Sequence, residues 1–337
     1  MVPESLITAA RKLLAATGDT GRRLELTPLT SGGNNRVFLV ESEAGRHVAK
    51  WYYHDESGTR DRARAEFDFL SHIRRFGIRN VPQPIAHDPE HHLALYEFIA
   101  GRPLGESDLS AVLIDQAARL FATINCESVR AAGGHLQPAS DACFTIGEHI
   151  HSVDARLKVL SVVQARSATD RDAVALVGRM SAVWQRIKDE LQRGCPDIDA
   201  PLPGRWRSLS PSDFGFHNAL LRENGEVCFL DFEYAGWDDP AKMTGDFFSH
   251  PGLPVPLSYF ELFAGGALAP FEAREELIAR ARRLSAVSRI RWCCIMLNEF
   301  LPDVAKRRRF ADPTRDIGER KQRQLEKARA LFALIRT

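Results

Sequence analysis

Ser210-Pro211-Ser212-Asp213-Phe214-Gly215-Phe216-His217-Asn218, with Phe229-Leu230-Asp231-Phe232-Glu233 soon after it, is the stretch from which the rest of the chain is read. Between the two blocks, Ala219 to Leu221 and Glu226 to Phe232 have strand character around Glu223-Asn224-Gly225, a hairpin turn signal. Asp213 and Asn218 sit on the loop before the hairpin, and Asp231 sits at the end of its return strand. A hairpin brings its two ends together, so the three polar groups can converge. Asp, Asn and Asp offer hard oxygen ligands and one base, a set suited to Mg²⁺ on phosphate oxygens. The other reading is an Asx-capped turn with a second Asp capping a helix. Asp213 and Asn218 alone do not separate the two; Asp231 at hairpin distance favours the metal reading.

Upstream, Val48-Ala49-Lys50 lies mid-strand and Glu66 lies in the following helical stretch. Lysine is depleted inside strands, so Lys50 is expected to have a partner. A Lys–Glu pair between strand and helix is how kinase-type folds grip a nucleotide's phosphates. Taken singly, Lys50 reads equally as an edge-strand lysine and Glu66 as a helix-surface glutamate. Ser31-Gly32-Gly33-Asn34-Asn35 can turn tightly and offer backbone N–H groups to phosphate. It is neither G-x-G-x-x-G nor a Walker loop, and a plain hairpin turn is its default reading.

Around these motifs the chain divides in two. Residues 5–16 read as a short helix. Leu24 to Leu29, Arg36 to Glu41 and Arg46 to Tyr53 read as an antiparallel meander. Thr59 to Phe76 is helical by its apolar steps at Ala63, Phe67, Leu70 and Ile73. Val81-Pro82-Gln83-Pro84 breaks that helix, His92 to Ile99 reads as a strand, and Gly101-Arg102-Pro103 as a linker. Beyond it the pattern is helical at Leu109 to Asn125, Arg171 to Gln192, Ala273 to Phe300 and Arg315 to Ile335. The stripe Ala173, Val177, Met180, Trp184, Ile187, Leu191 reads as core. The expected units are residues 1–99, a nucleotide-binding lobe, and 100–337, a catalytic and acceptor-binding lobe.

Composition narrows the class. The chain has 337 residues, 44% of them apolar, and 45 Lys plus Arg against 44 Asp plus Glu. That length suggests about two domains, and these fractions argue against a disordered chain, a collagen-like fibre or a disulfide scaffold. A net charge of +1 gives no global pull toward nucleic acid or anionic membrane. No apolar run approaches the ~20 residues of a membrane span, and the start lacks signal-peptide character. The six cysteines show no C-x-x-C or zinc-finger spacing, and Cys293-Cys294 read as buried thiols. A soluble, intracellular protein in a reducing cytoplasm is expected.

The order of these pieces resembles the aminoglycoside phosphotransferase and choline kinase group of small-molecule kinases. The resemblance is strongest at Asp213 to Asn218 and at Leu230-Asp231-Phe232-Glu233-Tyr234-Ala235-Gly236-Trp237-Asp238-Asp239-Pro240. It implies an α+β, bilobal protein kinase-like fold: an antiparallel sheet lobe with one main helix, then a larger, mostly helical lobe. It implies ATP and Mg²⁺ as cofactors. By the same resemblance, Asp213 would orient the acceptor hydroxyl and accept its proton, and Asn218 and Asp231 would hold the metal. Lys50, held by Glu66, would contact the phosphates. Tyr96-Glu97-Phe98-Ile99 resembles the hinge whose backbone binds adenine, and Asp246 an Asp that braces the catalytic loop. Two departures stand out: Pro211-Ser212 replace the His-Gly usual before the catalytic Asp, and the phosphate loop is short and Asn-rich.

The acceptor would lie between the catalytic loop and the C-terminal helices. Asp238, Asp239, His250, Trp292, Glu299 and Asp303 are candidates to line that cleft. Each reads equally well as solvated or salt-bridged. Arg289, Arg291 and the run Lys306 to Arg309 could instead meet an acidic group, although a charge run is more often a solvated face. The function expected is transfer of the γ-phosphoryl group of ATP to a hydroxyl of a sugar, aminosugar, aminoglycoside or amino alcohol. A catalytically silent kinase-like module is the alternative. A metal-dependent hydrolase leaves Lys50 and Glu66 unexplained.

Overall fold

Period-two alternation splits the strands of the N-terminal part between two helices, one on each face of a single sheet. The structure, a computed structural model, describes residues 3–19, 24–29, 34–43, 45–54, 60–195, 197–302, 304, 310 and 316–335. The strands are β1 (Leu24–Leu29), β2 (Arg36–Ser42), β3 (Gly45–Trp51), β4 (Pro84–Asp88) and β5 (Leu93–Glu97), antiparallel throughout in the order β1-β2-β3-β5-β4. Helix α1 (Glu4–Leu14) lays Leu6, Ala9, Ala10, Leu13 and Leu14 on Phe38, Val40, Ala49, Leu93 and Leu95. Helix α2 (Arg62–Arg75) starts at Asp61, whose carboxylate caps the Arg64 N–H. It packs Phe69, Leu70 and Ile73 with Tyr52, Ala94 and Tyr96. Neighbouring residues of β5 therefore serve opposite helices, as the pleat requires.

The meander and both helices lie where the sequence places them. Strand β4 does not follow from the sequence pattern, because its start was read as a helix breaker. It is an edge strand opening on Pro84, the one position where a missing N–H costs no ladder bond.

The remainder is mostly helical. It runs β6 (Arg102–Pro103), α3 (Ala111–Ile124), α4 (Glu127–Ala132), α5 (Ile146–Leu160) and α6 (Ala168–Gly194). Then follow β7 (Ser208–Ser210), β8 (Ala219–Leu221), β9 (Val227–Phe229) and β10 (Gly236–Asp238). The chain closes with α7 (Pro240–Phe247), α8 (Phe260–Ala267), α9 (Arg274–Leu297) and α10 (Ile317–Ala333). Thr145 and Ser167 start α5 and α6 with reciprocal capping boxes. The expected stripe on α6 is buried together with α5, α9 and α10, and Cys293 and Cys294 are free thiols inside that core.

Two short pairings carry the motif residues. β8 and β9 form the expected hairpin, Ala219 opposite Phe229, with Gly225 at φ +82° supplying the turn's left-handed residue. β7 pairs with β10, and α3 pins it from behind. The fully buried Asn125 accepts from the Leu209 N–H at 2.8 Å and donates to the Leu209 carbonyl at 3.0 Å. Asn125→Ala strips both partners from a buried strand that leads directly into Asp213. At roughly 1–3 kcal/mol per orphaned group, urea denaturation should show a loss of about 2–5 kcal/mol in unfolding free energy.

Candidate active site

Four elements deliver ionic groups to one cleft edge. Lys50 of β3 is buried, and its ammonium lies 2.6 Å from Glu66 Oε2 and 2.5 Å from Asp231 Oδ1. Glu66 also accepts from the Tyr52 hydroxyl at 2.7 Å and, through Oε1, from the backbone N–H of Phe232 at 3.0 Å. Helix α2 is thereby tied both to the lysine and to the segment after β9. Burial alone would lower the Lys50 ammonium. Asp231, Glu66 and Glu233 override it and hold it well above the ordinary lysine range. Burial, with Glu233 and Glu66 close by, raises the Asp231 carboxyl against the pull of Lys50. Mid-strand Lys50 thus has the partner its sequence position called for.

Asp213 is held by two hydrogen-bond donors, with a second imidazole alongside. Asn218 Nδ2 donates to its Oδ2 at 3.2 Å and to its backbone carbonyl at 3.0 Å. His217 Nε2 lies 3.2 Å and His250 Nε2 3.3 Å from Oδ1. An ionised carboxylate only accepts, so both imidazoles present Nε2–H to it. His250 Nδ1 accepts from the Gly252 N–H at 3.0 Å, which fixes the same tautomer. Burial alone would raise the Asp213 carboxyl. The two imidazoles and Asn218 outweigh burial and hold it well below the usual carboxylate range.

The two rings stack at 3.4 Å between centroids and 11° between planes. Asp213, His217 and His250 bring three ligand-type atoms within 4.8 Å of one another. A metal bound by imidazole lies in the ring plane, and two nearly parallel planes cannot share one ion, so the trio is a hydrogen-bonded clamp. Glycine encloses it: a Cβ at Gly215 would come within 2.8 Å of His217 Nδ1, and one at Gly252 within 2.6 Å of the His217 Cβ.

Local contacts hold the loop before Asp213, where Pro211-Ser212 stand. Ser212 sits at φ +67° and donates its N–H to Ser210 Oγ at 3.0 Å. Asp231 sits at φ +65°. Left-handed backbone at non-glycine residues is costly and gathers at functional sites; here it flanks both proposed chemical groups. The Leu230 N–H donates to the Asn218 carbonyl at 2.7 Å, joining loop and hairpin end. Among the described residues, Asn218 Oδ1 and Asp231 Oδ2 carry no protein hydrogen bond. These hard oxygens fit Mg²⁺.

The other expected positions divide. The backbone amides of Phe98 and Ile99 make no hydrogen bond among the described residues, as an adenine-binding edge requires. The Glu97 side chain does not face the cleft: it accepts from the Gln83 N–H at 3.0 Å and pairs with Arg74 at 3.6 Å. Asn34 and Asn35 turn their side chains to Glu233 and Tyr234. Ser31, Gly32, Gly33, Asp303 and the run Lys306 to Arg309 lie outside the described residues.

Of the acceptor candidates, His250 and Trp292 reach the site, edge to face at 4.3 Å. Asp238, Asp239 and Glu299 are corrected to internal partners. Asp238 is fully buried and binds Lys242 at 2.7 Å. Asp239 caps α7 and meets His149 at 3.0 Å and Arg280 at 2.7 Å. Glu299 pairs with Arg320 at 2.8 Å. Arg291 is buried on Asp246. Asp246 does not touch the catalytic loop directly: it accepts from Trp292 Nε1 at 2.8 Å, and Trp292 in turn abuts His250. Sequence reasoning passed over His217 and Glu233, although both stood in the quoted stretch.

A sheet lobe that presents a Lys–Glu pair to an Asp–Asn–Asp cluster defines a kinase-like phosphotransferase. Residues 25–242 match the model of the phosphotransferase enzyme family, and the chain belongs to that family. No curated protein matches the chain significantly. Among solved structures, a choline kinase from Cryptosporidium parvum Iowa II aligns with a TM-score of 0.59 at 16% identity, over 98% of this chain and 96% of that one. A macrolide 2'-phosphotransferase from Brachybacterium faecium aligns at 0.53 and 17%, over 99% and 100%. The streptomycin–ATP complex of the aminoglycoside phosphotransferase APH(2")-IIa aligns at 0.54 and 12%, over 98% and 99%. The shared feature is the protein kinase-like fold.

Burial, with His217 next, pushes the His250 imidazole down to about 3. A histidine lowered from 6.5 is destabilising once the unfolded chain can take the proton. Its contribution is intact above pH 6.5 and lost as pH falls from 6.5 toward 3. Thermal unfolding of the wild type should therefore weaken between pH 6.5 and 4.5 by roughly 2 kcal/mol more than that of His250→Gln. Parallel profiles for the two proteins would refute the assignment of that acid arm to His250.

Proposed function

We infer that the protein is an ATP-dependent small-molecule kinase that transfers the γ-phosphoryl group to an acceptor hydroxyl. The observation that carries this reading is the joint placement of Lys50, Glu66 and Asp231 beside the Asp213–Asn218 loop, inside a chain of the phosphotransferase enzyme family.

Phosphoryl transfer asks for positioning and charge compensation more than covalent chemistry. Lys50 is the cation for the nucleotide's phosphates, and Glu66 fixes its direction. Asn218 and Asp231 would hold Mg²⁺, which when bound offsets phosphate charge. Asp213 orients the acceptor hydroxyl. Its oxygen bonds to the γ-phosphorus, the bond from that phosphorus to the bridging oxygen of ADP breaks, and the hydroxyl proton passes to the Asp213 carboxylate. A carboxylate held ionised by two donors and a neighbouring imidazole is a weak base. That suits a loose transition state in which the proton leaves late.

The acceptor class we propose is a sugar, aminosugar, aminoglycoside or amino alcohol. Supporting it are the choline kinase and aminoglycoside phosphotransferase structures that share the fold. His250, 3.3 Å from Asp213, and Trp292 packed on it would form one wall of the acceptor site. The two lobes proposed are residues 1–99 for nucleotide and 100–337 for catalysis and acceptor. No helix among the described residues is long and apolar enough to cross a membrane. Free cysteines fit a reducing cytoplasm, where we place the protein.

ATP consumption with Mg²⁺ across a panel of these acceptors tests the reading. Acceptor-dependent turnover is expected, and Asp213→Asn should reduce it about 10²–10⁴-fold, the usual worth of a positioned proton acceptor. Undiminished turnover in that variant would remove Asp213 from the mechanism. Lys50→Met should weaken ATP-dependent thermal stabilisation while leaving the acceptor specificity of residual turnover unchanged.

A further inference from the structure

Glu233 is fully buried, and its two oxygens are engaged by side chains from the other lobe. Asn35 Nδ2 donates to Oε2 at 2.7 Å, and Asn34 Nδ2 donates to Oε1 at 3.3 Å. Asn34 also donates to the Tyr234 hydroxyl at 2.9 Å. Asn35 is itself buried, and its Oδ1 accepts from the Tyr53 N–H at 3.2 Å. One amide thus spans the entry of β2, the exit of β3 and the segment that carries Asp231. Arg60 fixes that segment from the α2 side, donating to the carbonyls of Ala235 and Pro138, each at 2.6 Å.

We propose that Glu233 is a positioning residue which, through Asn35 and Asn34, locks the end of the β2–β3 hairpin to the Asp231 segment and so sets the distance across which Lys50 and Asp231 act on the nucleotide. The inference rests on the kinase reading for its functional consequence, though not for the lock itself. Lys50 sits on β3, two positions before Tyr52 and three before the Tyr53 amide that Asn35 holds. Asp231 sits two positions before Glu233. A change at the lock therefore moves both members of the Lys50–Asp231 pair relative to each other. The Asn35–Glu233 bond is buried and the Asn34–Glu233 bond half-buried, and hydrogen bonds to a carboxylate are stronger than neutral ones. Without its amide donors, Glu233 would be a buried carboxylate lacking compensation, a costly state that the closed arrangement would relieve by opening. The Lys50 ammonium also feels the Glu233 charge, so the lock and the phosphate-gripping pair belong to one electrostatic unit.

The test uses the full chain and the near-isosteric Asn35→Asp. That change keeps the acceptor for the Tyr53 N–H, removes the donor to Glu233 and sets two carboxylates face to face. Amide hydrogen exchange reads the lock: protection at residues 35–38 and 232–235 should fall in Asn35→Asp and in Glu233→Gln. Protection should recover in the double variant, where the new amide at 233 donates to the new carboxylate at 35. Unchanged protection in both single variants overturns the lock whatever the nucleotide data show. ATP titration with Mg²⁺, followed by thermal shift, reads the consequence. Asn35→Asp should weaken nucleotide affinity about 10–100-fold, the loss of one hydrogen bond to a charged group, with the double variant closer to wild type.

Kinetically, the defect should appear in KM for ATP more than in KM for the acceptor. Lost protection with wild-type ATP affinity would overturn the functional half. If the wild type itself binds no ATP, the kinase reading falls, and the exchange experiment still decides the lock.

Discussion

Everything in this molecule turns on one buried contact: the Lys50 ammonium between the carboxylates of Glu66 and Asp231. A lysine sealed inside a sheet lobe is costly unless opposite charge lies against it. The fold supplies that charge from two directions, helix α2 and the end of β9. Remove either and the other cannot hold its place. Glu66 also binds the backbone of Phe232, so the helix is registered on the chain as well as on the lysine. The sheet, the helix and the acidic segment are thereby one mechanical unit, and the charged contact lies beside an apolar one, with Phe69 of α2 stacked on Phe232 at 5.7 Å inside one continuous core.

Around that unit the site is built by successive constraint. Asn125 holds β7, β7 delivers the strained Ser212, and Ser212 aims Asp213. The stacked imidazoles of His217 and His250 then fix the carboxylate from the other side. Behind His250 stand Trp292, Asp246 and Lys242, linking the imidazole beside Asp213 to the interior ion pair at Asp238. Asn125, Asp213, Asp238 and Asp246 each have a specific neighbour, which favours a single arrangement of the network.

Much of this was legible before any coordinates. The hairpin turn at Glu223-Asn224-Gly225, the five-residue step from Asp213 to Asn218 and the unexpected lysine at position 50 all act through local rules, and local rules survive folding. The acidic residues after Asp231 were a different matter. Asp238 and Asp239 look available in sequence, but β10 and α7 carry them inward, where Lys242, His149 and Arg280 wait. His149 and Arg280 come from distant parts of the chain, and Lys242, although only four residues from Asp238, becomes its partner only because α7 forms and turns both inward. Helix α5 was missed because its buried residues are interleaved with His, Ser and Lys. The asparagines of the β1–β2 connection read as backbone N–H donors to phosphate, and nothing local foretells that their side chains reach Glu233 across the cleft.

The sheet's second cover has a consequence for how the lobe comes into being. Helix α1 precedes every strand of the sheet, yet the surface it rests on includes Leu93 and Leu95 of the sheet's last strand. Phe38, Val40 and Ala49 of β2 and β3 can cover part of its apolar stripe earlier, and the cover is complete only once β5 has been synthesised. That strand also pairs with β3, so the last piece to arrive closes the sheet beside Lys50.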